Sequence, residues 1–229
     1  MIVLPDNSQR AKNSLIAFYI LGFIQIAFMI SAFLQYSLLK RMQTGNYTQE
    51  EATTNDIRHQ TIAYANVAIY IVCMVLLFIM WFRRAYNNLN LSQRAYTKHP
   101  EGWAAGAWFV PFLNLARPYF IMEEIWEKTQ EATYNLISYK NGKIIGWWWV
   151  IWIINNIGTN FINRYFKESN VEELITSTLA SLFFNIVELI ALLLLIIIIK
   201  NVMVFEKNLH ESLLEEEESE SEDKLNFVI

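Results

Sequence analysis

Apolar residues in this chain come in long blocks, with neither the alternation of a half-buried strand nor the narrow stripe of a soluble helix, and four blocks reach bilayer-spanning length. The first, Asn13 to Leu39, has no charged residue and is rich in Leu, Ile, Phe and Ala. The second lies between Arg58 and Arg83 and centres on Ile69 to Phe82. A third fills Ile144 to Asn163 and opens with Trp147, Trp148 and Trp149, whose rings favour the headgroup boundary. The fourth, Leu174 to Ile199, is interrupted only by Glu188. The pattern predicts an all-α integral membrane fold with transmembrane helices at about 14–39, 60–82, 144–163 and 174–199. The first block exceeds a signal-peptide core and no small-residue cleavage pattern follows, so it is expected to stay as an anchor.

A further segment, Gly102 to Met122, is long enough to cross but contains Pro111, Asn114, Arg117 and Pro118. Charge arbitrates. With four spans, thirteen Lys and Arg fall on the side shared by the N-terminus, the Arg83 to Lys143 loop and the C-terminal tail, against five opposite. A fifth span changes this to eight against nine and erases the asymmetry that orients membrane proteins. The reading is therefore four spans, both termini cytoplasmic, and a re-entrant or interfacial segment at about 102–139 between the second and third. Two prolines break the helical ladder, which membrane depth tolerates only where protein or water satisfies the freed carbonyls. After it, Glu123 to Tyr139 reads as an amphipathic helix along the inner leaflet. Met122, Ile125, Trp126, Thr129, Ala132, Thr133 and Leu136 form one stripe, and Glu124 pairs i,i+4 with Lys128 on another.

Composition agrees: 54% hydrophobic and 15% aromatic residues leave room for one bundle and short loops, so residues 1–214 read as a single membrane domain. The net charge of −4 hides a split, because seven acids crowd Glu215 to Asp223 and the rest is mildly basic. That block buries no core, so 215–229 reads as a disordered acidic tail. Nothing points to nucleic acid. Cys73 is the one cysteine, and His59, His99 and His210 are scattered, so no metal or other cofactor is expected. The chain lacks a Gly-x-Ser-x-Gly elbow, a phosphate-cradling glycine loop and HExxH, which argues for a non-enzymatic role.

Depth singles out a polar layer. At ~1.5 Å per residue from the nearest cytoplasmic Lys, Gln25, Asn156, Asn185 and Glu188 lie roughly 18 to 23 Å into a ~30 Å core. Asn156, Asn160 and Asn163 share a face, as do Asn185 and Glu188. No formal charge in another span opposes Glu188, so the neutral carboxyl is expected. Its roles are an interhelical clasp to an amide, the favoured reading, or one step of a proton or cation path.

The cytoplasmic side carries a second constellation. Trp81-Phe82-Arg83-Arg84-Ala85-Tyr86-Asn87-Asn88-Leu89 precedes Trp103, then Pro111, Asn114, Arg117 and Pro118 at fixed offsets, then Glu124-Ile125-Trp126 and the Trp-rich third span. In order and spacing this resembles an uncharacterised bacterial membrane family, domain of unknown function 4328. The resemblance runs from about Trp81 through the fourth span and excludes the acidic tail. It implies a bacterial inner (plasma) membrane protein and no established activity. Physically, Arg117 can serve two acceptors among Glu123, Glu124, free backbone carbonyls or a lipid phosphate, while Asn114 can bond the broken backbone. Locking the turn is the favoured role of both. Gly102 and Gly106 form one Gly-x-x-x-Gly pair that could admit a close helix. The leading expectation is interaction with protein or lipid through the cytoplasmic face, the partner being a membrane or cytoplasmic protein or a second copy of the chain. The alternative is a small channel or transporter with its path past Glu188.

Overall fold

The computed structural model describes residues 4–133, 138–165 and 170–228, with side chains at all of these except 163 and 220–228. Among the described residues every regular element is helical. Helix α1 is Ser8–Gln43; α2, Gln49–Ile71, continues through a π-helical stretch, Val72–Phe78, into α3, Ile79–Leu91. Two short pieces follow, α4 at Gly102–Gly106 and a 3-10 turn at Leu113–Leu115, then α5 at Arg117–Glu131, α6 at Lys143–Tyr165 and α7 at Val171–Val228.

Local chemistry sets the ends. The Asp6 carboxylate accepts from the Ser8 N–H at 2.8 Å and the Ser8 hydroxyl at 2.9 Å where α1 begins. Those bonds hold the Asp6 carboxyl below its usual range. Lys40 and Arg41 occupy the last turn of α1, where its dipole favours cations. Gly45, at φ 71°, turns the chain in a conformation that other residues resist. Thr48 caps α2 by accepting from the Glu51 N–H at 3.2 Å, while the Glu51 carboxylate pairs with Arg41 at the end of α1.

Three helical stretches are long and apolar enough to cross a membrane, Ser8–Gln43, Gln49–Leu91 and Val171–Ser219. The sequence reading has four. Helix α6, at 23 residues, is long enough but less apolar, because Trp147, Trp148, Trp149, Trp152, Asn155, Asn156 and Asn160 dilute its aliphatic residues. The segment after Gly102 is no single helix: it breaks at both prolines, and its longest described helix, α5, has 15 residues. A fifth continuous helical span is thereby excluded.

The chain divides into two compact units. The first comprises Met1–Leu15, Val75–Trp147 and Ile196–Ile229. Its centre is aromatic: Phe78, Phe82 and Trp108 meet with ring centroids 5.5 to 5.9 Å apart, and Trp126 stands edge-on to Phe205 at 5.0 Å. The stripe expected on α5 is present, with Met122, Ile125, Trp126 and Thr129 buried, but it packs into this unit instead of facing a leaflet. That helix ends at Glu131, and the expected continuation through Leu136 falls on 134–137, outside the described residues. Trp126 Nε1 donates to the Lys140 carbonyl at 2.8 Å, and Gln130 exchanges two bonds with the Lys140 backbone, fixing the return of the chain.

The second unit comprises Ile16–Met74 and Trp148–Leu195, and its polarity is reversed relative to a water-soluble domain. Ile20, Phe23, Ile30, Phe33, Val67 and Leu193 face outward, while Gln25, Ser31, Asn55, Ser177 and Asn185 are buried. Large apolar side chains outside and amides inside are what a hydrocarbon solvent selects.

The acidic segment departs from expectation. Helix α7 runs through it to Val228, and Arg94 pairs with Glu216 while donating to Ser212 Oγ at 3.0 Å. Glu, Leu and Lys are strong helix formers, and the Arg94 guanidinium offsets part of the crowded charge.

Candidate functional site

In the second unit the polar layer gathers around Gln25, which is 1% exposed. Its Nε2 donates to Asn185 Oδ1 and, at 3.0 Å, to Glu188 Oε2. Its Oε1 accepts from Asn66 Nδ2 at 2.7 Å. One amide thus ties α1 to α2 and α7, with both N–H donors and one of the two oxygen lone pairs engaged. A cavity of about 370 Å³ borders the cluster and is lined in part by Asn66, Tyr70, Asn155, Asn156, Asn185 and Glu188.

Two expected members stay out of the network. Asn156 Nδ2 donates to the Trp152 carbonyl at 2.8 Å and Asn160 Nδ2 to the Asn156 carbonyl at 2.7 Å. Both amides fold back on their own helix four residues earlier, an option open to short polar side chains. Asn156 still lines the cavity; Asn160 is exposed. The side chain of Asn163 lies outside the described residues. Asn66 joins instead, a residue the depth count could have found: eight positions from Arg58 is roughly 12 Å from the opposite edge, the same layer seen from the other side.

Close approach also falls elsewhere than expected. No atom lies within 4 Å of a Cβ built on Gly102, and Gly106 meets only Trp103 of its own helix. Gly158 of α6 is the tight position, since a Cβ there would lie 2.0 Å from ring atoms of Phe184 on α7.

In the first unit the Arg117 guanidinium lies over the Trp103 ring, 4.2 Å from its centroid, instead of against Glu123 or Glu124. Pro118 is buried at the start of α5, where its missing N–H costs nothing. Pro111 is exposed, and the Asn114 N–H bonds the Val110 carbonyl at 3.0 Å. On either side of Pro111 the chain presents apolar groups outward: Phe109 is 62% and Phe112 85% exposed, with Phe112 in the strained left-handed region at φ 65°.

Glu124 does not pair with Lys128. It is buried and accepts from the Tyr86 hydroxyl at 2.8 Å and the Lys98 N–H at 3.1 Å, while Tyr86 Oη accepts from the His99 N–H at 3.1 Å. Lys128 Nζ turns to the Tyr96 carbonyl. Trp126 is 2% exposed and belongs to the packing of this unit. Tyr119 donates to Glu123 Oε1 at 2.8 Å. Burial, reinforced by Glu123 and Glu131, raises the Glu127 carboxyl above its ordinary value, with Lys98 opposing.

A third cluster was not singled out by the sequence pattern. Glu206 of α7 accepts from Asn7 Nδ2 at 3.0 and 3.2 Å, one distance to each oxygen, and from Asn88 Nδ2 at 3.1 Å. Asn88 Nδ2 also reaches the Pro5 carbonyl at 3.0 Å. These residues border a cavity of about 380 Å³.

Helices apolar enough to span a bilayer, with amides buried among them, define an all-helical protein of the membrane class. Within that class the chain belongs to the family described as Domain of unknown function (DUF4328), whose signature covers residues 43–203. No curated protein and no solved structure matches it. The matched stretch includes Asn66, Trp103, Arg117, Asn185 and Glu188, and leaves out Asn7, Gln25 and Glu206.

Proposed function

We propose that this is a four-span protein of a bacterial inner membrane, with both termini cytoplasmic, that works by binding and performs no chemistry of its own. Its first unit engages the bilayer surface, or a protein held there, through the proline-bounded aromatic loop. The observation that carries this is the outward display of Phe109 and Phe112 on a strained turn beside the buried core of the same unit. Exposed aromatics on a fixed loop mark interaction surfaces. The loop enters the interface from the cytoplasmic side and leaves by the same side.

A fluorophore on Phe112→Cys, in a Cys73→Ser background reconstituted into liposomes, tests the reading. Quenching by shallow nitroxide lipids with protection from aqueous iodide is expected. The opposite pattern removes the lipid reading. Cross-linked affinity purification from native membranes, comparing wild type, Arg117→Ala and a chain lacking 215–229, tests the protein partner. Identical recoveries in all three remove that arm.

The second reading, a small channel or transporter, draws on the cavity beside Asn66, Asn156 and Glu188. Proton or cation flux in proteoliposomes that falls in Glu188→Gln supports it. Background flux in both proteins rules it out.

A further inference from the structure

The Glu206 cluster has a chemical imbalance. Both amide groups turn their N–H donors to the carboxylate, which leaves Asn7 Oδ1 and Asn88 Oδ1 buried without a hydrogen-bond partner among the described residues. The two residues are 4% and 5% exposed, so water solvates neither freely, and unmatched buried acceptors are costly. Rotating either amide to use its oxygen would set that oxygen against the carboxylate. Both residues line the same cavity as Glu206, and its volume of about 380 Å³ is in the range of small-molecule sites.

The other groups on the cavity narrow the chemistry. Asp6 adds a second carboxylate, already held by Ser8. Lys207 directs its Nζ to Glu211 Oε1 at 3.4 Å, so it does not neutralise Glu206, and His210 completes the titratable set. Leu4, Pro5, Leu89, Met203 and Leu209 supply apolar wall. Three amide N–H contacts already occupy much of the Glu206 lone-pair capacity, which disfavours a metal ion in direct coordination. A group that brings several N–H donors and a positive charge matches two free carbonyl oxygens beside a carboxylate, and an ammonium has three such donors.

We propose that this cavity binds a primary ammonium carried on an apolar body, held by Asn7 Oδ1, Asn88 Oδ1 and the Glu206 carboxylate. Two sources share that chemistry: the headgroup of an ethanolamine phospholipid and a free alkylamine. The site is independent of the aromatic loop and of the cavity beside Glu188.

Calorimetric titration of the full chain in an amine-free neutral detergent tests it, with n-hexylammonium chloride as the probe. Saturable binding is expected, at least tenfold tighter than that of n-hexanol, which lacks the charge, and of hexyltrimethylammonium, which lacks the N–H donors. This comparison needs only the wild-type protein. Glu206→Gln is expected to weaken hexylammonium at least tenfold while leaving hexanol unchanged. Equal affinity for hexylammonium and hexanol, or for hexylammonium and its trimethyl analogue, overturns the proposal, as does full-strength binding to a folded Glu206→Gln protein. In nanodiscs, loss of hexylammonium binding when ethanolamine lipid replaces choline lipid identifies the lipid headgroup, and retained binding identifies a free amine; both support the site.

Discussion

The guanidinium of Arg117 stacks on the indole of Trp103 at 4.2 Å, joining the start of α5 to α4 across the proline-bounded turn. Such a contact contributes about 0.5–1 kcal/mol at a partly exposed position. A double-mutant cycle of Trp103→Leu and Arg117→Leu, read by thermal unfolding in detergent, should return a coupling of that size. Arg117→Lys should recover little, because an ammonium does not stack as a planar group does. A coupling near zero would mean that the pair does not lock the turn.

Gln25 satisfies partners on two other helices at once, so removing it should be worse than altering any single partner. Gln25→Leu leaves the Asn66 donor and the Asn185 and Glu188 acceptors unmatched, and a loss of about 1–3 kcal/mol is expected. Glu188→Gln keeps an acceptor of similar shape and should cost less than about 1 kcal/mol. Unfolding in mixed micelles measures both; equal stability of Gln25→Leu and wild type would argue against the clasp.

At Gly158 the ring of Phe184 occupies the space of a methyl group. Gly158→Ala should cost about 1–3 kcal/mol, because the ring must leave a packed position. Adding Phe184→Leu should recover at least half of that loss in the same melting experiment. No recovery would place the cost in the backbone.

Glu127 yields a pH signature. Burial and the neighbouring Glu123 and Glu131 raise its folded-state pKa, so the fold prefers the protonated form. Its contribution is fully present below the unfolded value and is lost as pH rises through the folded one. At pH 7.5 Glu127→Gln should therefore melt above wild type. The gap should close on acidification towards about pH 4, where an unfolded carboxyl is itself protonated. A pH-independent gap would assign the effect to packing.

The level of a polar residue along its helix is easier to read from a sequence than the direction of its side chain. Counting residues from flanking charges brought Gln25, Asn185 and Glu188 to one level, and the structure joins all three. The same count included Asn156 by depth, but depth cannot say which way an amide turns, and Asn156 bonds its own Trp152 carbonyl. Asn66 escaped because its level shows only from the Arg58 side. On α5 the stripe of Met122, Ile125, Trp126 and Thr129 was visible, yet an apolar stripe looks the same against protein as against lipid. Glu124 and Lys128 have the spacing of an ion pair, and only the arrival of Tyr86 from α3 shows that Glu124 faces inward. Asn7, Asn88 and Glu206 are distant in sequence and carry no periodicity, so no local pattern announces them.

The π-helical stretch from Val72 to Phe78 has a lasting effect on how this chain can vary. It accommodates a residue that a regular α-helix would not, and helices of this kind recur near sites of function. Deleting one residue there would regularise the backbone ladder, yet each residue turns an α-helix by about 100°. Trp81, Phe82 and Tyr86, which follow the stretch, are fully buried in the first unit and leave no room for such a turn. An apparent irregularity thus sets the register of these three rings, and insertions or deletions should be far less tolerated at 72–78 than in the turn around Gly45.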